Sequence, residues 1–187
     1  MIKYKRANYA GVITIVQTKR YSLWIMPAGD VYDRLKDIIL RLSLKYSTPR
    51  FEPHITLIGG LSGSEEEILS RISRLTASLR PFTVKLTKTE YLDEYYRCLF
   101  LRAKETDDLL NAYALAGKIF DNLQEEKYMP HLSLMYGDFP AKIKEEIAME
   151  IGNLDIAFEV NSIHVIMTGD NPELWQRIKE FPFKEKK

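Results

Sequence analysis

Two of the chain's three histidines stand in one repeated phrase, Pro53-His54-Ile55-Thr56-Leu57 and Pro130-His131-Leu132-Ser133-Leu134. An aromatic residue, Phe51 or Tyr128, precedes each histidine by three positions. A β-strand points residues i and i+2 to one face, so each phrase presents an imidazole beside a hydroxyl while Ile55 and Leu57, or Leu132 and Leu134, face the other way. An unperturbed imidazole titrates near pH ~6.5, so one copy can be neutral while the other is protonated. Such a pair can move two protons. In attack of water on a phosphorus ester, one histidine would take the water proton and the other would protonate the departing oxygen. The hydroxyls would hold the non-bridging oxygens meanwhile. Nothing in that scheme asks for a metal or an organic cofactor.

Positioning such a site takes two strands and the elements that carry them. His54 and His131 are 77 positions apart, and the same offset carries Leu23-Trp24 onto Phe100-Leu101, two apolar strands, and Asp30 onto Asp107, two expected helix N-caps. Leu35, Ile38, Ile39 and Leu42 then recur at helical spacing, as do Leu109, Leu110, Tyr113, Leu115, Ala116 and Ile119. Beyond the first phrase, Gly59-Gly60 and Ser62-Gly63-Ser64 read as a turn before a helix from about Glu65 to Leu79. Beyond the second, Pro140 starts a helix to about Ile151. Further strands are expected over Phe82–Leu92, Arg97–Ala103, Ile156–Met167 and Leu174–Phe181. The expectation is a duplicated α+β fold in one bilobal unit over residues 1–187, with halves near 21–92 and 96–168 and an N-terminal extension over 1–20.

Composition narrows the partners. Twenty-seven Lys and Arg against 26 Asp and Glu leave a net charge of +1, so no global field draws the chain to long polyanions or anionic membranes. A small ligand and a monomeric protein are the expectation. Lys3, Lys5 and Arg6 precede an apolar run from Ala10 to Val16, but Thr14 interrupts it and Gln17-Thr18-Lys19-Arg20 ends it without a small-residue cleavage site. Val12, Ile13, Ile15 and Val16 read instead as an edge strand, and no stretch approaches the ~20 apolar residues of a membrane span. Cys98 is the sole cysteine, which suits a reducing, cytoplasmic setting.

The paired His-x-Thr/Ser motifs resemble those of the two-histidine (2H) phosphoesterases. Tyr21-Ser22-Leu23-Trp24, Pro49-Arg50-Phe51-Glu52-Pro53-His54, Arg97-Cys98-Leu99-Phe100-Leu101 and Tyr128 to Tyr136 are similar to the plant and yeast cyclic nucleotide phosphodiesterase branch. The resemblance implies two antiparallel sheets lining a central cleft, helices outside, and His54, Thr56, His131 and Ser133 at its base. It further implies His131 as base, His54 as acid, Tyr136 near the phosphate, and Trp24 as an aromatic able to cover a base or ribose. The implied reaction opens nucleoside 2′,3′-cyclic phosphates or ADP-ribose 1″,2″-cyclic phosphate to a phosphomonoester without a cofactor. The extension before Tyr21 and the unpartnered Cys98 depart from the plant pattern, and the cleft segments Gly59–Ser64 and Leu92–Tyr96 match it poorly.

Rival readings stay open at this point. The same chemistry serves RNA ends bearing a 2′,3′-cyclic phosphate or joined by 2′-5′ linkages, and the fold could serve as a non-catalytic nucleotide or RNA-binding module. Two histidines without a Cys or acidic motif make a poor zinc set. His164, between Ile163 and Val165 with Ile166 at i+2, reads as structural. Tyr91, Tyr95 and Tyr96 read as surface, and Arg50 and Lys127 as solvated flanks of the motifs.

Overall fold

The computed structural model describes residues 20–122 and 127–184. The strand expected over Val12 to Val16 lies outside them. In chain order the elements are β1 (Arg20–Ile25), α1 (Gly29–Tyr46), β2 (Ile55–Ser62), α2 (Glu65–Ser78), β3 (Phe82–Glu90), β4 (Leu99–Ala103), α3 (Asp107–Phe120), β5 (His131–Met135), α4 (Ala141–Ile151), β6 (Ile156–Val160), β7 (Ser162–Thr168) and β8 (Gln176–Pro182). Short 3₁₀ turns occupy Tyr95–Arg97 and Pro172–Leu174. Every strand pairing is antiparallel, so the fold class is α+β.

The strands form one eight-stranded sheet in the order β6-β3-β4-β5-β2-β1-β7-β8, where the sequence pointed to two sheets. Its halves, β6-β3-β4-β5 and β2-β1-β7-β8, meet through the single residue pair Ile55–Leu132. Both side chains there are fully buried, and a buried strand edge needs a backbone partner, so the two motif strands join rather than end as facing edges. Helix α1 packs against β5 and α3 against β2, which makes the helical layer bridge this narrow joint.

The apolar periodicity of α1 is realised, with Leu35, Ile38, Ile39 and Leu42 all buried. The caps differ from expectation. Ala28 and Thr106 occupy the N-cap positions of α1 and α3, and the Thr106 hydroxyl accepts a bond from Leu109 N–H. Asp30 and Asp107 sit in the first turn instead, where a carboxylate still meets the positive end of the helix dipole. Gly59 and Gly60 do not turn the chain. They lie within β2, where pairing slips from Leu23–Ile58 to Tyr21–Leu61 across a bulge, and Gly60 takes a φ of 71°. The single strand expected over Ile156–Met167 divides at Asn161: β6 pairs with β3 in one half of the sheet, and β7 with β1 and β8 in the other.

Ile55, Leu57, Leu132 and Leu134 are at most 1% exposed on the helix side of the motif strands, as the i, i+2 pattern requires. The joint should therefore be a point of high energetic cost. Leu132→Ala is expected to destabilise the protein by ~2–5 kcal/mol in urea unfolding, against less than ~0.5 kcal/mol for Leu174→Ala at an exposed turn.

Candidate active site

Strand register places the motif residues. With Ile55 opposite Leu132 in an antiparallel pair, extending the register by one residue each way sets His54 across from Ser133 and Thr56 across from His131. The two imidazoles therefore occupy diagonal corners of a four-residue patch, with a backbone separation of about 7–8 Å. Each corner pair is one imidazole and one hydroxyl. His54, Thr56, His131, Ser133, Tyr136 and Trp24 all line one cavity of about 330 Å³.

The histidines are held alike. Nδ1–H of His54 donates to the carbonyl of Glu52 at 2.6 Å, and Nδ1–H of His131 donates to the carbonyl of Met129 at 2.8 Å. Each anchor lies two residues upstream, so the repeated phrase carries its own tautomer lock and leaves Nε2 as the unprotonated nitrogen of the neutral ring. Burial pulls His54 down from 6.5 to about 3; the Glu52 carbonyl opposes this and the neighbouring His131 adds to it. Burial also lowers His131, helped by the Arg97 and Arg102 guanidinium groups and opposed by the Met129 carbonyl and Glu94. The site without ligand thus holds two neutral imidazoles near pH 7.

The surroundings of the two rings differ. Trp24 lies flat on His54, with centroids 3.5 Å apart and planes at 7°, while Trp175 stands edge-on to both. At 3% exposure Trp24 backs the histidine while still bordering the cavity. His131 instead meets the ring of Phe100 at 5.1 Å.

The approaches cross-brace the two motifs. Phe51 stacks on Tyr136 at 3.9 Å, and the Tyr128 hydroxyl donates to the Thr56 carbonyl at 3.1 Å. The aromatic three residues before each histidine therefore docks on the other motif. Tyr136 is buried, which raises its phenol well above 10 and keeps it a proton donor. Ser133 Oγ donates to the Tyr96 carbonyl at 3.1 Å, so its one proton must turn away from that carbonyl to meet a phosphate.

Sequence reasoning missed Trp175 and underrated Tyr96 and Arg97, all three on the cavity wall. Tyr96 and Arg97 lie in a 3₁₀ turn with no periodicity to flag them, anchored by buried Lys144, whose ammonium donates to the Leu92 carbonyl at 2.8 Å and pairs with Asp93 at 3.1 Å. Trp175 precedes β8, and the expected strand over Leu174–Phe181 had taken it in together with the last residue of the Pro172–Leu174 turn. His164 is absent from the cavity lining: it is buried on β7 opposite Trp24, with Nδ1 lacking a hydrogen-bond partner and Nε2 3.9 Å from Glu180. Arg50 N–H donates to Glu173, and Lys127 pairs with Glu105 at 3.0 Å. A second cavity of about 220 Å³, bordered by Tyr113, Lys127 and Tyr128, shares Thr56, Arg97 and His131 with the first, so the cleft continues past the histidines. Among the described residues no three His, Cys, Asp or Glu side chains form a cluster that could hold a metal, and no helix is long and apolar enough to cross a membrane.

Comparison with known proteins agrees with this geometry. The family model of cyclic phosphodiesterase-like proteins matches residues 20–175. The cyclic phosphodiesterase of Arabidopsis thaliana is 23% identical over 166 residues, covering 84% of this chain and 92% of the plant protein. Among solved structures, TT0787 of Thermus thermophilus superposes with a TM-score of 0.66 at 16% identity, covering 88% of this chain and 97% of that one. LigT of E. coli, complexed with 3′-AMP, superposes with a TM-score of 0.59 at 12% identity, covering 90% of this chain and all of the other. The chain belongs to the cyclic phosphodiesterase-like family of the 2H phosphoesterase superfamily.

Proposed function

We propose that the protein hydrolyses small cyclic phosphodiesters, nucleoside 2′,3′-cyclic phosphates or ADP-ribose 1″,2″-cyclic phosphate, to phosphomonoesters by metal-independent general acid–base catalysis. The observation that carries this reading is the pair of imidazoles, each locked through Nδ1 to a carbonyl two residues upstream and lining one cavity with Thr56 and Ser133. Nε2 of one histidine accepts the proton of the attacking water, Nε2–H of the other protonates the departing ribose oxygen, and the ring opens to a monoester. Thr56, Ser133 and Tyr136 donate hydrogen bonds to the non-bridging oxygens.

His131 serves as base and His54 as acid. Desolvation alone favours the opposite order, because it lowers His54 steeply, yet two features of the occupied site support this one. The indole face of Trp24 stabilises an imidazolium lying flat upon it, and the phosphate brings a negative charge into the cleft. Arg97 and Arg102 instead disfavour a proton on His131. The protein acts as a monomer in one bilobal unit, and its sole cysteine, buried Cys98, fits a cytoplasmic setting.

Phosphorus NMR of adenosine 2′,3′-cyclic phosphate in EDTA should show a new monoester resonance that is absent with His131→Ala; no turnover of this ester or of ADP-ribose 1″,2″-cyclic phosphate would overturn the reading. Each histidine replacement should cost ~10²-fold or more. A diester with a 4-nitrophenolate leaving group, which needs no acid, should restore much of the rate of His54→Ala and little of that of His131→Ala; the reverse pattern would exchange the two roles.

The pH dependence follows from the shifts. kcat/KM reports the free enzyme, in which both imidazoles are held below 6.5, so its bell should peak on the acid side of that value, with limbs belonging to the coupled pair. Bound phosphate raises both groups, so the kcat bell should lie at higher pH. A kcat/KM optimum above neutrality contradicts the assignment.

A further inference from the structure

We infer that Glu52 is a positioning residue for the first histidine: its carboxylate, clamped by Arg177 and Tyr32, fixes the main-chain carbonyl that orients His54, with a consequence for the reaction that rests on the phosphodiesterase reading. Glu52 acts through two groups. Its carbonyl accepts Nδ1–H of His54 at 2.6 Å. Its carboxylate accepts from the Arg177 guanidinium at 2.7 Å and from the Tyr32 hydroxyl at 2.8 Å. Both donors reach the same oxygen, Oε1, from different elements, Arg177 from β8 and Tyr32 from α1. Two charge-assisted bonds converging on one oxygen leave the side chain little rotational freedom.

Little slack lies between the carboxylate and the carbonyl. Pro53 follows Glu52, and a following proline confines a residue to extended backbone while the ring fixes its own φ. The Glu52 carbonyl belongs to the peptide plane leading into Pro53, so holding the Glu52 side chain sets where that plane points. The second approach is steadied by another route: the Pro130 carbonyl accepts Ala103 N–H at 3.0 Å, a main-chain bond to β4 just before His131. The first approach is strapped across space to the residues around Trp175. Arg50 N–H donates to Glu173 at 3.2 Å on one side of Trp175, and Arg177 reaches Glu52 on the other. Trp175 itself stands edge-on to the His54 ring at 6.1 Å.

Tyr32 serves the same imidazole twice. Its ring packs against the small cluster of Trp24, Met26 and Ile166, and Trp24 lies flat on His54. Its hydroxyl completes the clamp on Glu52. Burial, the bond to Glu52 and the charge of that carboxylate push the phenol up to about 12, so it remains a proton donor at neutral pH. The side chains of Arg177 and Glu52 are 38% and 39% exposed, and an ion pair so open to water adds little to global stability. Its effect falls instead on the orientation of one ring. Glu52, Arg177 and Tyr32 do not line the cavity, so the clamp works through His54 and not by touching substrate.

Glu52→Ala, Glu52→Gln, Arg177→Ala and the Glu52→Ala/Arg177→Ala double variant of the full chain test the clamp. The direct readout is nitrogen NMR of the imidazoles without substrate at neutral pH, where His54 and His131 of the wild type both carry the proton on Nδ1. Glu52→Ala should mix in the Nε2–H tautomer at His54 and leave His131 unmoved. Glu52→Gln, whose amide oxygen accepts from both donors, should restore the wild-type signal. An unchanged His54 signal in Glu52→Ala overturns the clamp, as does an equal change at both histidines, which marks general loosening. On adenosine 2′,3′-cyclic phosphate, Glu52→Ala should lose about tenfold in kcat with KM little changed, and Arg177→Ala somewhat less. The double variant should lose no more than Glu52→Ala, because the two residues act as one unit; losses that multiply would overturn that unit. Should wild type turn over no cyclic phosphate, the phosphodiesterase reading fails, while the NMR comparison still decides for or against the clamp.

Discussion

The single backbone pairing between Ile55 and Leu132 is the constraint on which the site depends. It is too short to hold two half-sheets by itself, and the neighbouring side chains show how the joint is reinforced. Phe51 of one approach lies on Tyr136 of the other motif, Tyr128 of the second approach bonds the Thr56 carbonyl of the first, and α1 and α3 pack across the seam. Since each histidine is the residue just before a member of the pair, tightening the joint and aligning the imidazoles are one operation. A slip of one residue here would turn His54 and Thr56 into the helix layer and bring Ile55 into the cleft.

The histidine and hydroxyl patch was legible because it is local. Parity along a strand tells which side chains share a face, and a phrase of Pro, His, apolar residue and hydroxyl is read without knowing its partner. The carbonyl that orients each imidazole lies two residues back, so even the tautomer lock belongs to the motif. What stayed hidden depends on long-range pairing. Trp24 sits on an apolar strand, and only the register of β1 against β2 and β7 turns it into the backing of His54. Trp175 and Tyr96 are 79 positions apart in irregular segments, and no period joins them. The break at Asn161 did leave a trace. Ile156, Phe158 and Val160 alternate cleanly with exposed residues, and the run after the break is buried on both faces from Ser162 to Ile166.

The site holds its electrostatics in reserve. Burial keeps both imidazoles uncharged when the cleft is empty, which spares the protein two like charges in a confined space. The phosphate of a diester carries one negative charge and so repays the desolvation of one imidazolium. In the proposed reaction, proton inventory and substrate binding are thereby linked, and the differing neighbours of the two rings would set which of them receives the proton. A hydroxyl that already donates to a main-chain carbonyl, as Ser133 does to Tyr96, ties the same event to the wall of the cleft.

The crossing at Asn161 bears on how the chain reaches this state. The strand pair β1–β2, which includes the first motif strand, is completed by β7 and β8 from the far end of the chain, while β3, made early, waits for β4 and β6. A ribosome that has released only the first motif strand has therefore released two strands of a four-stranded half, with their outer edges open. Contacts of such long sequence separation make folding slow and strongly cooperative, and they keep the first half from maturing alone. The resemblance between the two halves is a kinship of parts that no longer stand apart: severing the chain between them would divide both halves of the sheet at once.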